Sequence, residues 1–367
     1  MKIIFTVTND LTYDQRMHRI CHSLASNGYD VLLVGRVLPH SIPLIDKAFE
    51  QKRLSCIFKK GFLFYAEYNL RLFIFLLFQS GYDTICSIDL DTLGAGFFAS
   101  LLRGKKRVFD AHEYFTEVPE LVDRPVVKFF WAMIAKFILP YYRHAYTVGP
   151  ALAEIFKKQY GPDFTVIRNV AAKAVNEPKV ANNNGVSNHK TLLYQGALNE
   201  GRGLEVAIST MQHIENVQLV LAGEGDCSEK LRALSLVLDL GEKLCFEGYV
   251  QPDQLKKLTK SAWAGINLLE NRGLSYYYSL ANKFFDCVQA GVPVITMDFP
   301  EYRHLNQQHE VALLLSELSQ DSLAAAINKL LTDKLLYQRL QHNCLVAREE
   351  WNWEAEEKVL LGFWADV

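Results

Sequence analysis

The chain has no excess of basic charge: 39 lysines and arginines stand against 41 aspartates and glutamates, a formal net charge of -2. A nucleic-acid binder concentrates positive charge to meet phosphates, so nucleic acid is not an expected partner. Paired cysteines are also missing. The seven present (Cys21, Cys56, Cys86, Cys227, Cys245, Cys287, Cys344) are odd in number, scattered and never spaced as C-x-x-C. That pattern suggests neither a disulfide framework nor a zinc site and suits a reducing cytoplasm. No G-x-G-x-x-G follows the first apolar run, which argues against a nicotinamide-dependent dehydrogenase. The opening MKIIFTVTND turns polar at Asn9 and Asp10, too abruptly for a signal peptide, and is expected to be a buried first strand. No apolar run reaches the roughly 18 to 20 residues of a membrane-spanning helix. The longest near-apolar stretches are 72–78 and 129–139, the second broken by Lys136.

What is present is a repeated alternation. The 367 residues exceed what one ordinary core fills, and two α/β domains fit the length. Short β-rich runs at 2–8, 31–35, 56–59, 84–88, 107–111, 145–148 and 165–168 are separated by longer helical stretches, the pattern of a parallel sheet with helices on its faces. Residues 14–27 repeat apolar side chains at Met17, Ile20, Cys21, Leu24 and Ala25 and stop before Gly28, as a helix does. A second series has strands at 192–195, 218–222, 244–247, 265–269, 293–296 and 312–315, with helices at 204–213, 228–239 and 283–290. Between the two series, 171–190 is polar and holds an Asn-Asn-Asn-Gly turn signal, so it reads as a linker. Helical stretches at 321–331 and 334–350 follow the second series, and the tail has aromatic residues at helical spacing. The expected domains are 1–170 and 191–350, with a helix at 351–367 that packs back on the first.

In open α/β sheets ligands bind beyond the carboxyl ends of the strands, where helix N-termini offer unpaired N–H groups to anions. After 192–195 comes Gly196-Ala197-Leu198-Asn199-Glu200-Gly201-Arg202-Gly203. Glycines let a phosphate approach the backbone and Arg202 can meet two of its oxygens, although an ordinary glycine-rich turn has the same composition. After 265–269 comes Glu270, then NRGLSYYYSLANKFFDCVQAGVPVI. There Ser279, Leu280, Ala281 and Asn282 lead into a helix with Lys283 in its first turn. A cation at that end opposes the helix dipole by about 0.3–1 kcal/mol when exposed, so Lys283 either meets an anion or projects into solvent. In the first half, Asp110-Ala111-His112-Glu113 follows a strand, and Asp89, Asp91 and the Asn9-Asp10 turn fall at other strand ends. Asp14 is placed to cap its helix, and Asp89-Leu90-Asp91 reads as a strand end and cap more readily than as a metal site.

The order and spacing of NDLTYDQRMHRICHSLASNGYDVLLVGR, DAHEYFTEVPEL, YQGALNEGRGLEVAI, LVLAGEGD, FEGYVQPDQL and YYYSLANKFFDCVQAGVPVI resemble the GT-B glycosyltransferases. The nearest likeness is to the retaining hexosyl and N-acetylhexosaminyl transferases of bacterial surface-polysaccharide synthesis (family 4-like, group 1). The resemblance implies two Rossmann-like domains facing across a cleft and metal-independent sugar transfer. The donor would be a nucleotide-sugar, a substrate and not a cofactor, and the acceptor a glycan or a lipid-linked sugar. Such families carry a basic pair near the first turn of the C-terminal domain. Here Arg202 stands for one member and Ala197 replaces the other, leaving Lys283 as the substitute; Gly196, Ser279 and Leu280 complete the diphosphate site. Of two acids eight positions apart, the second maps to Asp286, for the donor ribose. The first maps to Tyr278, so the contact to the donor sugar is lost or comes from Glu270. Gly248, Tyr249 and Val250 would present main-chain groups to the nucleobase, with Glu224 and Gly225 nearby. His112 would sit beside the reacting sugar once the domains close, with Glu113 holding it, unless it is a packing histidine.

The segment VVKFFWAMIAKFILPYYRHAY interleaves aromatic residues with Lys128, Lys136 and Arg143. It is compatible with a helix packed on the sheet and with peripheral contact at the inner face of a membrane. Two other functions fit the same fold: a sugar-nucleotide 2-epimerase-like enzyme, which needs no acceptor, and a catalytically silent sugar-nucleotide-binding protein, which the losses at Ala197 and Tyr278 favour.

Overall fold

A computed structural model describes every residue except Tyr13, His40 and 174–188, and most of the expected linker, with its Asn-Asn-Asn-Gly signal, lies outside the described residues. The chain divides into two compact units: unit 1 is Met1–Arg168 with Glu357–Val367, and unit 2 is Asn169–Glu356.

Unit 1 runs β1 (Lys2–Thr6), α1 (Gln15–Ser26), β2 (Asp30–Arg36), β3 (Glu50–Leu54), α2 (Gly61–Phe78), β4 (Thr84–Ile88) and α3 (Asp89–Arg103). It continues with β5 (Lys106–Ala111), α4 (Pro119–Val122), α5 (Pro125–Ile138), β6 (His144–Thr147), α6 (Pro150–Tyr160) and β7 (Phe164–Val166). Among the described residues these strands form one parallel seven-stranded sheet in the order β3-β2-β1-β4-β5-β6-β7. The inner strands are buried over nearly their whole length because helices cover both faces, which is why they read as continuous apolar runs. Asp14 caps α1 by accepting the Met17 amide at 3.0 Å, and Met17, Ile20, Cys21 and Leu24 make its buried face.

Unit 2 runs β8 (Lys190–Gln195), α7 (Leu204–Thr210), β9 (Val217–Ala222), α8 (Ser228–Val237), β10 (Leu244–Gly248), α9 (Pro252–Ser261) and β11 (Ala264–Asn267). Then come α10 (Leu274–Tyr277), α11 (Asn282–Gln289), β12 (Val294–Met297), α12 (Pro300–Gln308), β13 (Ala312–Leu315), α13 (Gln320–Thr332) and α14 (Lys334–Ala347). Its six strands are parallel in the order β10-β9-β8-β11-β12-β13. In both sheets the chain winds outward one way and then the other, so each has a point where strand order reverses, between β1 and β4 and between β8 and β11. The loops leaving those two strands diverge there and open a crevice at the carboxyl edge.

Two expectations need correction. The third strand lies at Glu50–Leu54, and 56–59 is a loop whose Ile57 and Phe58 amides are taken by the Glu67 carboxylate at 2.9–3.0 Å. The strand EQKRL sits on the sheet edge, where charged residues are tolerated and discourage further pairing, so it carries no apolar signal. The other correction concerns apolar length. Helix α2 has 18 residues with mean hydropathy 1.4, its only charged residues Glu67 and Arg71, and is long and apolar enough by composition to cross a membrane. Its buried positions Phe64, Tyr68, Leu72 and Leu76 recur every fourth residue and join the core of unit 1 with Ile4, Val34 and Ile85.

The last helix, α15 (Trp353–Ala365), ends on unit 1: the buried Trp364 meets Phe5 edge to face at 5.4 Å, and Phe363 meets Tyr146 at 5.1 Å. Trp364→Ala is expected to destabilise unit 1 by about 3–5 kcal/mol. Equilibrium urea unfolding measures this, and a loss under about 1 kcal/mol would show that the helix end does not support that core.

Candidate functional site

The crevice of unit 2 is built by the turns that leave β8 and β11. Gly196 has φ +124°, and a Cβ there would lie 3.5 Å from the Lys283 ammonium. A Cβ on Gly223, at the end of β9, would stand 2.0 Å from the Gly196 carbonyl oxygen. Only glycine lets these two turns pack so closely, and Gly196 is exposed beside the lysine while its amide donates to the Ala222 carbonyl at 2.9 Å.

Lys283 is the second residue of α11, whose N-terminus has no side-chain cap. Its Nζ lies 3.9 Å from the centre of the Tyr194 ring, and the Arg202 guanidinium lies 4.7 Å from the centre of the Tyr276 ring. Burial, and next the charge of Arg202, hold the Lys283 pKa well below the ordinary lysine value. Among the described residues neither cation forms an ion pair, and the buried Nε of Arg202 has no hydrogen-bond partner. A desolvated cation is normally paired. Here two stand within reach of each other's charge, set against aromatic faces, at a helix end that is itself electropositive, and the nearby Asp286 carboxylate offsets the Lys283 charge without an ion pair to it among the described residues. The arrangement is preorganised for an anion with more than one negative charge.

The other sequence-predicted residues fall around this pair in part. The Ser279 hydroxyl donates to the Tyr276 carbonyl at 2.9 Å, Leu280 is buried, and the Ala281 amide is held by the buried Tyr302 hydroxyl at 2.9 Å. Asp286, one turn further into α11, accepts the Gln195 amide at 2.7 Å, and Gln195 in turn accepts the Thr259 hydroxyl at 2.6 Å. On the next strand Gly248 has φ +65°, after a register shift in β10, and a Cβ there would lie 3.5 Å from Glu224. The predicted nucleobase residues Glu224 and Gly248 are thus neighbours; Glu224 pairs with Arg232, Tyr249 is exposed and Val250 packs on the core. Glu270 is placed differently: its amide donates to Gly201 at 3.0 Å, and its charged neighbours are Glu205, Arg272, Glu200 and Lys230. Burial, then Glu205, raise its pKa. The Tyr278 ring packs on that of Tyr277.

In unit 1 the reversal point between β1 and β4 gathers its own cluster. The His112 Nε2 lies 2.9 Å from Asp110, and its backbone amide donates to Asp89 at 2.9 Å. Asp110 is fully buried and also pairs with Arg16 at 3.1 Å. Burial alone would lower the His112 pKa, but the carboxylates of Asp110 and Asp89 outweigh it and raise it. Asp91 accepts the Thr8 hydroxyl, and burial pushes its pKa up to about 6 against that hydrogen bond. Asp89 holds a left-handed backbone, φ +52°, a strained conformation for a non-glycine residue. The two aspartates of Asp89-Leu90-Asp91 therefore serve different partners. Glu113, the expected holder of His112, is exposed; the ring contact comes from Asp110.

The residues whose roles sequence reasoning missed are Tyr194, Tyr276, Gln195 and Asp110. The last had a signal, since residues two apart at a strand end share a face. The tyrosines had only the YYY run, which a core would explain equally well.

Residues 176–344 match the family described as glycosyl transferases group 1. An uncharacterized glycosyltransferase of Methanocaldococcus jannaschii is 29% identical over 147 residues, 39% of this chain, and the match spans only 36% of that relative's length. Solved structures share the fold across both units. Sucrose-phosphate synthase of Thermosynechococcus elongatus superposes with TM-score 0.78 at 18% identity, over 100% of this chain and 98% of that one. Anabaena HepE, solved with UDP and glucose, gives TM-score 0.75 at 14% identity over 100% of both chains. WaaG, a glycosyltransferase involved in lipopolysaccharide biosynthesis, gives 0.72 at 16% identity over 98% of both.

Two outcomes follow. A lysine whose folded pKa is depressed binds fewer protons folded than unfolded, so its unfavourable contribution is full at low pH and fades as pH rises toward the unfolded value. The ligand-free protein is therefore expected to gain stability as pH rises toward the unfolded lysine value, and Lys283→Met to lose that gain while becoming more stable at neutral pH. The increase is expected near 1–4 kcal/mol, the range for replacing buried charges by apolar side chains of similar volume. Thermal melts across pH measure both, and a destabilised Lys283→Met with unchanged pH slope would contradict the unpaired-cation reading. Separately, the His112 ring should titrate above the ordinary histidine value of about 6.5 by NMR, and a midpoint at or below that value would show that Asp110 does not hold it charged.

Proposed function

We propose that this chain, whose residues 176–344 belong to the group 1 glycosyl transferases and whose two units have the GT-B fold, transfers a sugar from a nucleoside-diphosphate donor to a glycan or lipid-linked acceptor. The observation that carries this is the unpaired Arg202 and Lys283 at the reversal point of unit 2. Breaking the anomeric C–O bond leaves the bonding electrons on the diphosphate, whose charge grows in the transition state. Preorganised cations and helix-end amides stabilise that charge without reorganising, so the diphosphate contacts fall to Gly196, Arg202, Lys283 and the turn at Ser279 and Leu280. On this reading no metal is required, Asp286 meets the ribose, and Glu224, Gly248, Tyr249 and Val250 flank the base. HepE, with the same fold, was solved with UDP-glucose, which makes uridine donors the first to test.

As the acceptor oxygen bonds to the anomeric carbon, its hydroxyl proton passes to the departing diphosphate oxygen, which has kept the electrons of the broken C–O bond. His112, held by Asp110, is the unit 1 side chain suited to orienting a sugar hydroxyl, with Glu113 beside it; retention of anomeric configuration and polysaccharide synthesis as the setting belong to the same reading. Seven free cysteines, five of them buried, suit a reducing cytoplasm.

A second reading, a silent binding protein, is favoured by Tyr278 in the place of an acid and by the loss at Ala197. A thermal-shift screen of nucleoside diphosphates and their sugars, followed by donor-consumption assays with candidate acceptors, separates the two. Wild type is expected to bind a nucleoside diphosphate in EDTA, and Arg202→Ala and Lys283→Ala each to weaken it about ten-fold or more, as loss of a charge-assisted contact does. His112→Ala should bind normally and turn over about a hundred-fold slower. Binding without donor consumption would support the silent reading, and binding unaffected at both cations would end the enzyme assignment.

A further inference from the structure

Arg36 is the last residue of β2, at the carboxyl edge of the unit 1 sheet. Its backbone amide donates to the Asn9 carbonyl at 2.8 Å, and its guanidinium lies 3.9 Å from the centre of the Phe64 ring. Nη1 donates to the Lys59 carbonyl at 3.0 Å, and Nε is buried with no hydrogen-bond partner. Among the described residues no carboxylate pairs with this cation. A latch between β2 and the start of α2 would use only the ring and the Lys59 carbonyl. The guanidinium is therefore held at the edge with its charge uncompensated and most of its donor fork unspent, and that fork matches the paired oxygens of a phosphate or a carboxylate.

Two more cations stand beside it. Lys59 and Lys60, in the loop before α2, are exposed, and neither has a carboxylate partner among the described residues. The Lys59 ammonium donates to the Cys56 carbonyl at 2.6 Å. Glu67, the acid that reaches this loop, is spent on the Ile57 and Phe58 amides and on Arg71.

The place of Arg36 along the edge says what kind of molecule would use it. The strand order β2-β1-β4-β5 sets three strand spacings, about 14 Å, between the backbones of Arg36 and of His112, which follows β5. Asp91 lies between them and feels the charges of both, and Arg36 also acts on the Tyr65 hydroxyl. Asp110 and Asp89 flank the imidazole at 2.9 and 4.0 Å. With these acids at the reversal point, an anion is repelled from the imidazole. The end of a ligand that meets His112 is neutral, as a sugar hydroxyl is, and any negative charge belongs to its other end, over β2.

We infer that unit 1 takes an acceptor carrying an anionic group, a phosphate or a carboxylate, which Arg36 binds with Lys59 and Lys60 beside it while a hydroxyl of the same molecule meets His112. This rests on the transferase reading and narrows its acceptor to a charged class. Arg36 supplies binding energy through a part of the substrate that does not react, and so sets specificity.

The test is titration of glucose, glucuronate and glucose 1-phosphate by saturation-transfer NMR on the full chain carrying Arg202→Ala and Lys283→Met, so that the donor pair does not compete for the anion. One or both anionic sugars are expected to bind about ten-fold or more tighter than glucose, with a preference that shrinks as salt rises; the two arms tell phosphate from carboxylate. Adding Arg36→Met should abolish the preference and leave glucose binding unchanged, whereas Arg36→Lys, which keeps the charge, should retain part of it. Lys59→Ser with Lys60→Ser, at exposed positions, should reduce the preference without lowering the melting temperature. Equal affinity for the three sugars, or a preference that survives Arg36→Met, overturns the inference. Nucleoside-diphosphate binding to the unmodified chain is measured alongside. Its presence without an anion preference fails this inference alone, and its absence with the preference intact fails the donor reading alone.

Discussion

Two positive charges within reach of each other, with no ion pair to either among the described residues, set the terms for unit 2. Such a pair is costly in a ligand-free protein, because each cation is partly desolvated and each raises the energy of the other. Everything around it reads as a device for keeping it in place. The Tyr194 and Tyr276 rings offer their negative faces, worth about 0.5–2 kcal/mol each, and so steady the cations without neutralising them. Glycines at 196 and 223 bring the turns together. Tyr302 fixes the start of α11 from below through the Ala281 amide, and the Gln195–Asp286 hydrogen bond ties α11 to the end of β8. A site under this kind of internal tension is relieved by a multiply charged anion, which is how stability is exchanged for binding at functional sites.

Unit 1 uses the opposite sign at the equivalent place. There the reversal point collects Asp89, Asp91 and Asp110 around one imidazole, with Arg16 and Thr8 taking up two of the carboxylates. The cluster distributes protons unevenly. Asp110, between Arg16 and His112, is held below the ordinary aspartate value despite its burial, whereas Asp89 and Asp91 are pushed above it. Carboxyl groups driven apart in this way are a mark of sites that handle protons, and the strained backbone of Asp89 is what aims its carboxylate at the His112 amide.

The fold was largely legible because buried parallel strands are apolar throughout and the turns between them are not. Both sheets announce themselves by that contrast. Where the contrast fails, the signal is lost: β3 is charged because it lies on an edge, and Glu67, Asn69 and Arg71 interrupt α2, which is otherwise apolar on two sides. At the site, glycines and cations stood out against their local context, Lys283 because it opposes a helix dipole. The aromatic faces that steady the cations did not, since a tyrosine beneath a lysine and a tyrosine in a core have the same sequence signature. Glu270 shows the complementary limit. Its position in the chain, just after β11, suits a donor contact, and in the structure the charges that act on its carboxyl are those of Glu205, Arg272, Glu200 and Lys230.

The origin of the cations has a consequence for how the site works. The resemblance implies a basic pair delivered from one turn. Here Ala197 removes one member, and the two charges come from separate elements, Arg202 from the turn before α7 and Lys283 from the first turn of α11. Their spacing then depends on how α11 seats against β8, which the Gln195–Asp286 and Gln195–Thr259 hydrogen bonds control. On the proposed donor reading, an anion that bridges both cations draws the two elements together, and its loss lets their repulsion act across the same joint. Binding and the seating of α11 are thereby one equilibrium, coupled by as much free energy as the anion gains from meeting both charges at once.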